Sequence, residues 1–282
     1  MLILRCPAQL QLLEETLRKS LPTTLPVLGT VMTVARGNPA SHEVLVDSWP
    51  HFSIVLTRLR PEVKEPSRFW VRMALRGHRA PLPSIWVPCL ADRQGVSGMQ
   101  DGLDEAVQEV ASGPRFHLWV AQGFQIPSHL LSQLGPGFGI PHSAMPCCRM
   151  PPGLRLAPVS PSHVPLLNAT WAQGGNARSR AFLLGLVRTL PSACLLGPRG
   201  RPVSWSLLDG QGCLRHGYTV PTWRGRGLSG LPLALLGREL HARGFPIYCS
   251  VLPQNTASLH ALQAVGFVPQ PGTFYMILGT PK

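Results

Sequence analysis

Arg224-Gly225-Arg226-Gly227-Leu228-Ser229 lies between an apolar run, Leu214 to Val220, and a leucine-rich stretch, Leu228 to Arg243. The first run reads as a strand. The second repeats leucine at 228, 231, 235, 236 and 240, which is helical spacing. Glycines at a strand-to-helix turn let the backbone approach a ligand closely. The first amides of a helix have no partner inside it and carry the positive end of its dipole. The stretch Arg224 to Gly230 therefore reads as a cradle for a phosphate or pyrophosphate, with a plain tight turn as the structural alternative. No Gly-Lys-Ser/Thr follows, which excludes a Walker loop. No acidic residue lies about 20 residues beyond, which excludes a dinucleotide fingerprint.

The pattern Arg/Gln-x-x-Gly-x-Gly/Ala resembles the acyl-CoA pyrophosphate signature of the GNAT acyltransferase superfamily. Arg224 and Gly227 fit it, and Ser229 stands where Gly or Ala is usual. Farther on, Asn255-x-x-Ser258 opens a second helix that closes at Gly266-Phe267, similar to the second half of that motif. Four more stretches resemble the glycine N-acyltransferase family: Asn168 to Asn176, Gly200 to Trp205, Gly244-Phe245-Pro246, and Arg36 to Pro39 with Asp47 to Pro50. The likeness covers residues 1–60 and 98–282. It implies an α/β (α+β) GNAT acyltransferase fold, a mixed twisted sheet flanked by helices, with a GNAT-like N-terminal half. It also implies acyl-CoA as co-substrate, held by Val220, Arg224, Gly225, Arg226, Gly227, Leu228, Ser229, Gly230 and Asn255, and a small amino acid as acceptor.

At 282 residues the chain can form one large domain or two ordinary ones. No run of 18 apolar residues occurs, so no membrane span is expected. Residues 1–22 lack the core and cleavage site of a secretory signal and read instead as a strand, Leu2 to Leu4, and a helix, Ala8 to Lys19. Seven cysteines without a Cys-x-x-Cys give neither zinc spacing nor a disulfide framework, so no metal is expected and a reducing compartment is the simplest reading. The net charge is +13, and +10 of it falls in residues 151–282, where 12 Lys/Arg face only Asp209 and Glu239. A basic surface suits any polyanion. The arginines are scattered without an aromatic-interleaved stripe, so a CoA ester is favoured over nucleic acid.

The expected division is an N-terminal domain, 1–150, and an acyl-CoA-binding domain, 151–282. Prolines and the Arg76-Gly77-His78-Arg79 run break every periodic pattern in 60–97, which is either a divergent loop region or a departure from the ancestral reading frame. Residues 98–112 recover a helical pattern, and 134–152 read as a linker. The second half reads more cleanly. Helices are expected over 162–172 and 178–189, and strands over 193–196 and 202–208. The turn Asp209-Gly210-Gln211-Gly212 makes a hairpin into Cys213–Val220. Strand 247–251, helix 256–265 and strand 273–278 follow.

Amide formation from a thioester needs a held thioester, a deprotonated amine and stabilised negative charge. By resemblance, a glutamate on the strand before the cradle takes the amine proton, and that position falls at Cys213. A tyrosine acid expected seven residues after Asn255 is Leu262. His216 is a candidate base because an unperturbed imidazole titrates near 6.5, although a strand histidine is also commonly structural. Strict alternation sets Cys213 and His216 on opposite faces of the strand. Arg224 and Arg226 either pair with phosphates or stay solvated. Asn255 either bonds the pantetheine arm or caps its helix. Trp49, Trp171 and Trp205 read as core, and Asn176 as an acceptor contact or a turn residue.

These features imply an acyl-CoA-dependent N-acyltransferase acting on glycine or another small amino acid, expected as a monomer. A mitochondrial location follows from the resemblance, with the cytoplasm as alternative. A catalytically weak or inactive acyl-CoA-binding paralogue is the rival, suggested by the missing glutamate. An acetyltransferase acting on lysines or polyamines is disfavoured, because cationic acceptors call for acidic grooves and this half has two carboxylates.

Overall fold

The computed structural model describes residues 1–60, 71–76, 95–98, 115–126 and 150–280, with only the backbone course given for 71–76, 95–98, 115–120 and 272–280. The chain divides into two compact units, residues 1–123 with 270–282, and residues 124–269.

The first unit begins with β1 (Leu2–Leu4), α1 (Pro7–Arg18) and α2 (Leu25–Ala35). Strands β2 (His42–Val46), β3 (Ile54–Leu59), β4 (Val71–Arg76), β5 (Gly95–Gly98) and β6 (Arg115–Gln125) follow. Most of the last strand, β12 (Val268–Thr280), also belongs to this unit. The sheet order is β1-β2-β3-β4-β5-β12-β6. Pairing is antiparallel from β1 to β4 and parallel between β4 and β5. Leu10, Leu13 and Leu17 recur on one face of α1 and are buried, while α2 is buried along most of its length. Glu14 joins the two helices outside the core, pairing with Arg18 at 2.8 Å and with Arg36 at 2.9 Å.

Strands β4 and β5 fall in the stretch whose prolines and glycines promised no regular element. Apolar Val71, Met73 and Leu75 alternate there with Arg72 and Arg76, a short period-two run easily hidden between breakers. The helical pattern expected over 98–112 and most of the 134–152 linker lie outside the described residues.

The second unit begins with the same order of elements as the first, a strand, two helices and three strands. β7 (Arg155–Ala157) leads into a 3-10 turn (Pro161–His163), then α3 (Val164–Thr170) and α4 (Ala177–Thr189). Next come β8 (Ser192–Leu196), β9 (Pro202–Leu208) and β10 (Cys213–Thr219). A second 3-10 turn (Pro221–Trp223), α5 (Gly230–Ala242), β11 (Tyr248–Val251) and α6 (Thr256–Ala264) complete it. The sheet order is β11-β10-β9-β8-β7, antiparallel except for the parallel pair β10–β11. Every residue of β9 is buried, as expected for a strand covered on both faces. Leu228 and Leu231 pack with Leu154, Leu195 and Val203, which seats the start of α5 on the sheet.

The α3–α4 corner is held by polar contacts. Asn176 caps α4 by accepting from the Ser179 amide at 2.9 Å, and Ser179 Oγ donates to Asn168 Oδ1 at 2.6 Å. Asn168 Nδ2 donates to the Asn176 carbonyl at 3.2 Å. The Gly175 amide donates to the Asn168 carbonyl at 2.9 Å. A Cβ on Gly174 would stand 2.1 Å from that carbonyl, whereas one on Gly175 would meet nothing within 4 Å, though its φ is +83°. Gly174→Ala should therefore cost at least about 1–3 kcal/mol through overpacking against backbone. Gly175→Ala should cost about 1 kcal/mol through its left-handed backbone alone. Urea unfolding of both variants checks this, and equal losses would mean that the corner yields freely.

Candidate active site

The hairpin before β10 is fixed by Asp209. Its Oδ1 accepts from the amides of Gln211 at 2.9 Å and Cys213 at 3.0 Å, and its Oδ2 lies 2.7 Å from Arg215 Nε. Tyr248 on β11 donates its hydroxyl to the Gln211 carbonyl at 2.7 Å. Burial lifts the Asp209 carboxyl above its ordinary range, and Arg215 and the two amides pull it back. This ion pair is the part of the site that the sequence reading missed. Its signal was an arginine in an otherwise weakly polar strand, six residues beyond one of the two carboxylates of the second half.

From that base, β10 departs from a regular strand in two ways. First, it pairs with β11 only at Cys213↔Tyr248 and Leu214↔Cys249, so beyond Leu214 the edge of β10 that faced β11 has no strand partner among the described residues. Secondly, its register with β9 shifts between Arg215↔Leu207 and Tyr218↔Trp205. That bulge places one extra residue on β10, and His216 there has φ 55°. Strict alternation, expected to separate Cys213 and His216, therefore ends at Arg215. A bulge bends the strand and re-aims a side chain. A left-handed non-glycine residue costs on the order of 1 kcal/mol, and histidine tolerates it better than most.

His216 is enclosed by rings. Trp171 lies edge-on to it at 4.7 Å, and Phe182 lies 5.9 Å away. Trp171 is thus half-buried against the bulge rather than a core residue. Burial, and secondarily Arg215, push the imidazole down to about 3. Cys213 is fully buried, and burial, with Asp209 next, pushes its thiol up to about 12. Neither group changes charge near neutral pH, so neither is poised to take the amine proton.

Beyond β10, the Val220 amide bonds the Val203 carbonyl at 2.9 Å, and the chain turns through Pro221–Trp223. Gly225 and Gly227 have φ of 72° and 68°, which explains glycine at both positions. The amides of Gly225, Arg226, Gly227, Leu228 and Ser229 make no hydrogen bond with the described residues. Ser229 precedes α5 without capping it by its side chain. The amides of Gly230 and Leu231 turn back onto the carbonyls of Gly227 and Leu228, each at 3.3 Å. Such a row of amides at a helix start is the kind of geometry that can hold an anion.

Two arginines flank the turn. Arg224 Nε donates to the Thr219 carbonyl at 2.9 Å, with its guanidinium 5.2 Å from the Tyr218 ring centre. Arg226 donates to the Thr222 carbonyl at 3.3 Å and lies 5.1 Å from the Trp223 ring centre. Both are exposed, with N–H groups to spare beyond these bonds. Leu228 contributes only its amide, since its side chain is core. Asn255 caps α6, accepting from the Ser258 amide at 3.3 Å. No group of three or more His, Cys, Asp or Glu among the described residues could hold a metal ion.

With this geometry in place, comparison with known proteins is informative. Residues 1–69 match the family model described as aralkyl acyl-CoA:amino acid N-acyltransferase, and residues 193–278 match the model of that family's C-terminal region. Glycine N-acyltransferase of Bos taurus is 32% identical over 96% of both chains. Glycine N-phenylacetyltransferase of the same species is 34% identical over 87% of this chain and 88% of its own. Among solved structures, a Drosophila protein superposes with a TM-score of 0.74 at 15% identity, covering 99% of this chain and 98% of its own. A GCN5-related N-acetyltransferase-like protein of Streptococcus suis superposes at 0.51 and 14% identity, covering 97% and 99%. The fold is the GNAT acyltransferase fold.

Thiol chemistry tests the electrostatics of β10. Cys6 is exposed, whereas Cys194, Cys213 and Cys249 are buried. In the folded protein at pH 8, iodoacetamide should alkylate Cys6 and leave those three untouched until denaturant is added, because only the thiolate reacts. Peptide mass mapping that found Cys213 labelled as fast as Cys6 would contradict the site described here.

Proposed function

The chain belongs to the aralkyl acyl-CoA:amino acid N-acyltransferase family, and from that premise we propose that it transfers an acyl group from an acyl-CoA thioester to the amine of glycine or another small amino acid. The observation that carries this reading is the row of five amides, Gly225 to Ser229, that have no partner among the described residues and lie directly beyond β10. The diphosphate of the donor would lie in that nest, with Arg224 and Arg226 adding charge-assisted bonds. The pantetheine arm, extended and amide-bearing, would run back along β10 from Thr219 toward Arg215. Open strand edges take extended ligands by adding hydrogen bonds in this way. The thioester would then sit at the bulge. Asn255, already a helix cap, could still present its Nδ2 to the arm. We propose a mitochondrial location from the family resemblance, with the cytoplasm as the alternative.

The amine nitrogen attacks the thioester carbonyl carbon, the C–S bond breaks, and CoA leaves as a thiolate that takes up the proton the nitrogen gives up once the C–N bond has formed. The amine must shed one proton before attack. With the imidazole of His216 at about 3 and the thiol of Cys213 at about 12, we propose that the acceptor enters as the free amine and loses its proton to solvent. The sign is clear. The free-amine fraction rises with pH, so kcat/KM should climb with unit slope up to the pKa of the acceptor amine. His216 stays neutral and Cys213 stays protonated throughout pH 5–9, so neither adds an inflection.

Release of free thiol from benzoyl-, phenylacetyl- and longer acyl-CoA esters, with a panel of small amino acids, tests the function. N-acyl amino acid should form in equal amount. If acyl-CoA binds but no product forms in the wild type, the chain is an inactive acyl-CoA-binding member of the family, the reading that the Cys213 thiol favours. An inflection near pH 6.5 would instead reveal a protein base.

Two substitutions sharpen the test. Cys213→Glu puts a carboxylate where the family resemblance expects the base, and a placed general base contributes about 10²–10⁴-fold. A gain in kcat/KM that is largest at low pH is expected, and no gain would mean that position 213 does not face the amine. Gly227→Val puts a branched residue at φ 68°, in the amide row. Losing two charge-assisted bonds, at about 1.5–3 kcal/mol each, should raise the Kd for CoA by more than about a hundredfold. An unchanged Kd by calorimetry, with the circular dichroism of the wild type, would rule the nest out.

A further inference from the structure

The role of His216 is best read from where the strand puts it. It occupies the bulge of β10 in a left-handed conformation, two residues beyond the last residue of β10 that pairs with β11. A bulge residue of this kind is held in an uncommon conformation by its surroundings, and here the surroundings are specific. Trp171, at the end of α3, meets the imidazole at right angles, with an interplanar angle of 89°. Phe182 of α4 closes a second side. No hydrogen bond from the described residues engages either ring nitrogen. The ring is therefore oriented by packing, while its polar N–H has no partner among the described residues.

We propose that the His216 imidazole N–H is the hydrogen-bond donor to the thioester carbonyl oxygen, serving as an electrophile that stabilises the oxyanion rather than as a proton acceptor. The proposal rests on the acyl-transfer reading above and adds a role at the same site. In the step it serves, the C–N bond forms while the carbonyl π pair moves onto oxygen. That negative charge is held by the N–H until the pair returns and the C–S bond breaks, so no proton is lost from His216. An uncharged imidazole suits this role, since it carries one N–H in each tautomer and remains uncharged throughout the working range. Burial and Arg215 keep it so, and Arg215 is the charge that acts on it among the described residues. From α3 and α4 it meets the rings of Trp171 and Phe182.

The bulge explains why this residue can do it. On a regular strand the side chains on either side of Arg215 would both point into a covered face of the sheet. The extra residue at 216–217 breaks that rule, and on this proposal it turns the imidazole toward the stretch of β10 beyond its pairing with β11, where the thioester of an arm lying on β10 would arrive. Neither a catalytic-base role nor simple packing calls for both an unengaged N–H and this position.

Three variants of the full chain separate these roles. His216→Phe keeps a ring between Trp171 and Phe182 but has no donor, His216→Gln keeps an N–H donor, and His216→Ala has neither. Loss of one oxyanion donor typically costs about 10²–10³-fold in kcat. The Phe and Ala variants should show that loss with KM within a few-fold of wild type, equally at pH 6 and pH 9. The Gln variant should recover at least tenfold over Phe. Infrared difference spectra of bound acyl-CoA carrying a ¹³C thioester carbonyl supply a readout that does not need turnover. The carbonyl stretch should be lower in frequency in the wild-type and Gln complexes than in the Phe complex. Retention of full kcat by the Phe variant, or identical carbonyl frequencies in wild type and Phe, would overturn the proposal while leaving the acyl-transfer reading intact. A loss confined to low pH would show a base and would also overturn it. Absence of acyl-CoA binding by the wild type would overturn both.

Discussion

Two residue pairs, Cys213 with Tyr248 and Leu214 with Cys249, are all that joins β10 to β11. Everything proposed for the second unit depends on how short that contact is. A parallel pair that continued would satisfy the backbone of β10 and close the sheet. By parting after Leu214 it leaves an edge of β10 without a strand partner among the described residues, the kind of edge along which an extended ligand can add hydrogen bonds. The Asp209–Arg215 pair and the Tyr248–Gln211 bond pin the closed end, so that the opening lies beyond it. The bulge then bends the open end. Breaking such a buried ion pair from one side is expensive, since the other charge is left uncompensated.

The chemistry of the site follows from what burial does to its polar groups. The position where the family resemblance expects a carboxylate holds a thiol pushed far from ionisation, and the only imidazole on the strand is pushed the other way. A site so arranged binds, orients and polarises more readily than it moves protons. Preorganised dipoles of that kind commonly supply the larger share of rate enhancement in acyl transfer. The scattered arginines of the second half fit the same division of labour. On the proposed reading they would raise the local concentration of a polyanionic donor, while the row of amides would fix its position.

Much of this was legible in the sequence, for identifiable reasons. The strand–turn–helix around Gly225 and Gly227 was readable because positive φ and leucine spacing leave strong signatures, and both glycines do adopt left-handed conformations. Strand Pro202–Leu208 and helix Ala177–Thr189 fall within a residue of where periodicity put them. The bulge at His216 was not readable. It is a difference in register between two strands, and alternation assumes that none exists. The Asp209–Arg215 pair was likewise hidden, because a turn aspartate and a strand arginine each have ordinary local explanations and only the hairpin brings them together. Strands β4 and β5 were masked by the prolines and glycines between them. Asn176, weighed as an acceptor contact or a turn residue, caps α4 through its Oδ1, a contact that only the fold at the α3–α4 corner reveals.

Hydrogen-exchange mass spectrometry of the full chain, with and without saturating acyl-CoA, tests the central claim most directly. If the donor lies along the open edge of β10 and in the amide nest beyond it, peptides spanning residues 215–230 should exchange markedly more slowly when it is bound. Peptides covering residues 1–60 should be little changed. Protection confined to residues 1–60, or none at 215–230 with acyl-CoA demonstrably bound, would contradict the placement of the active site between β10 and β11.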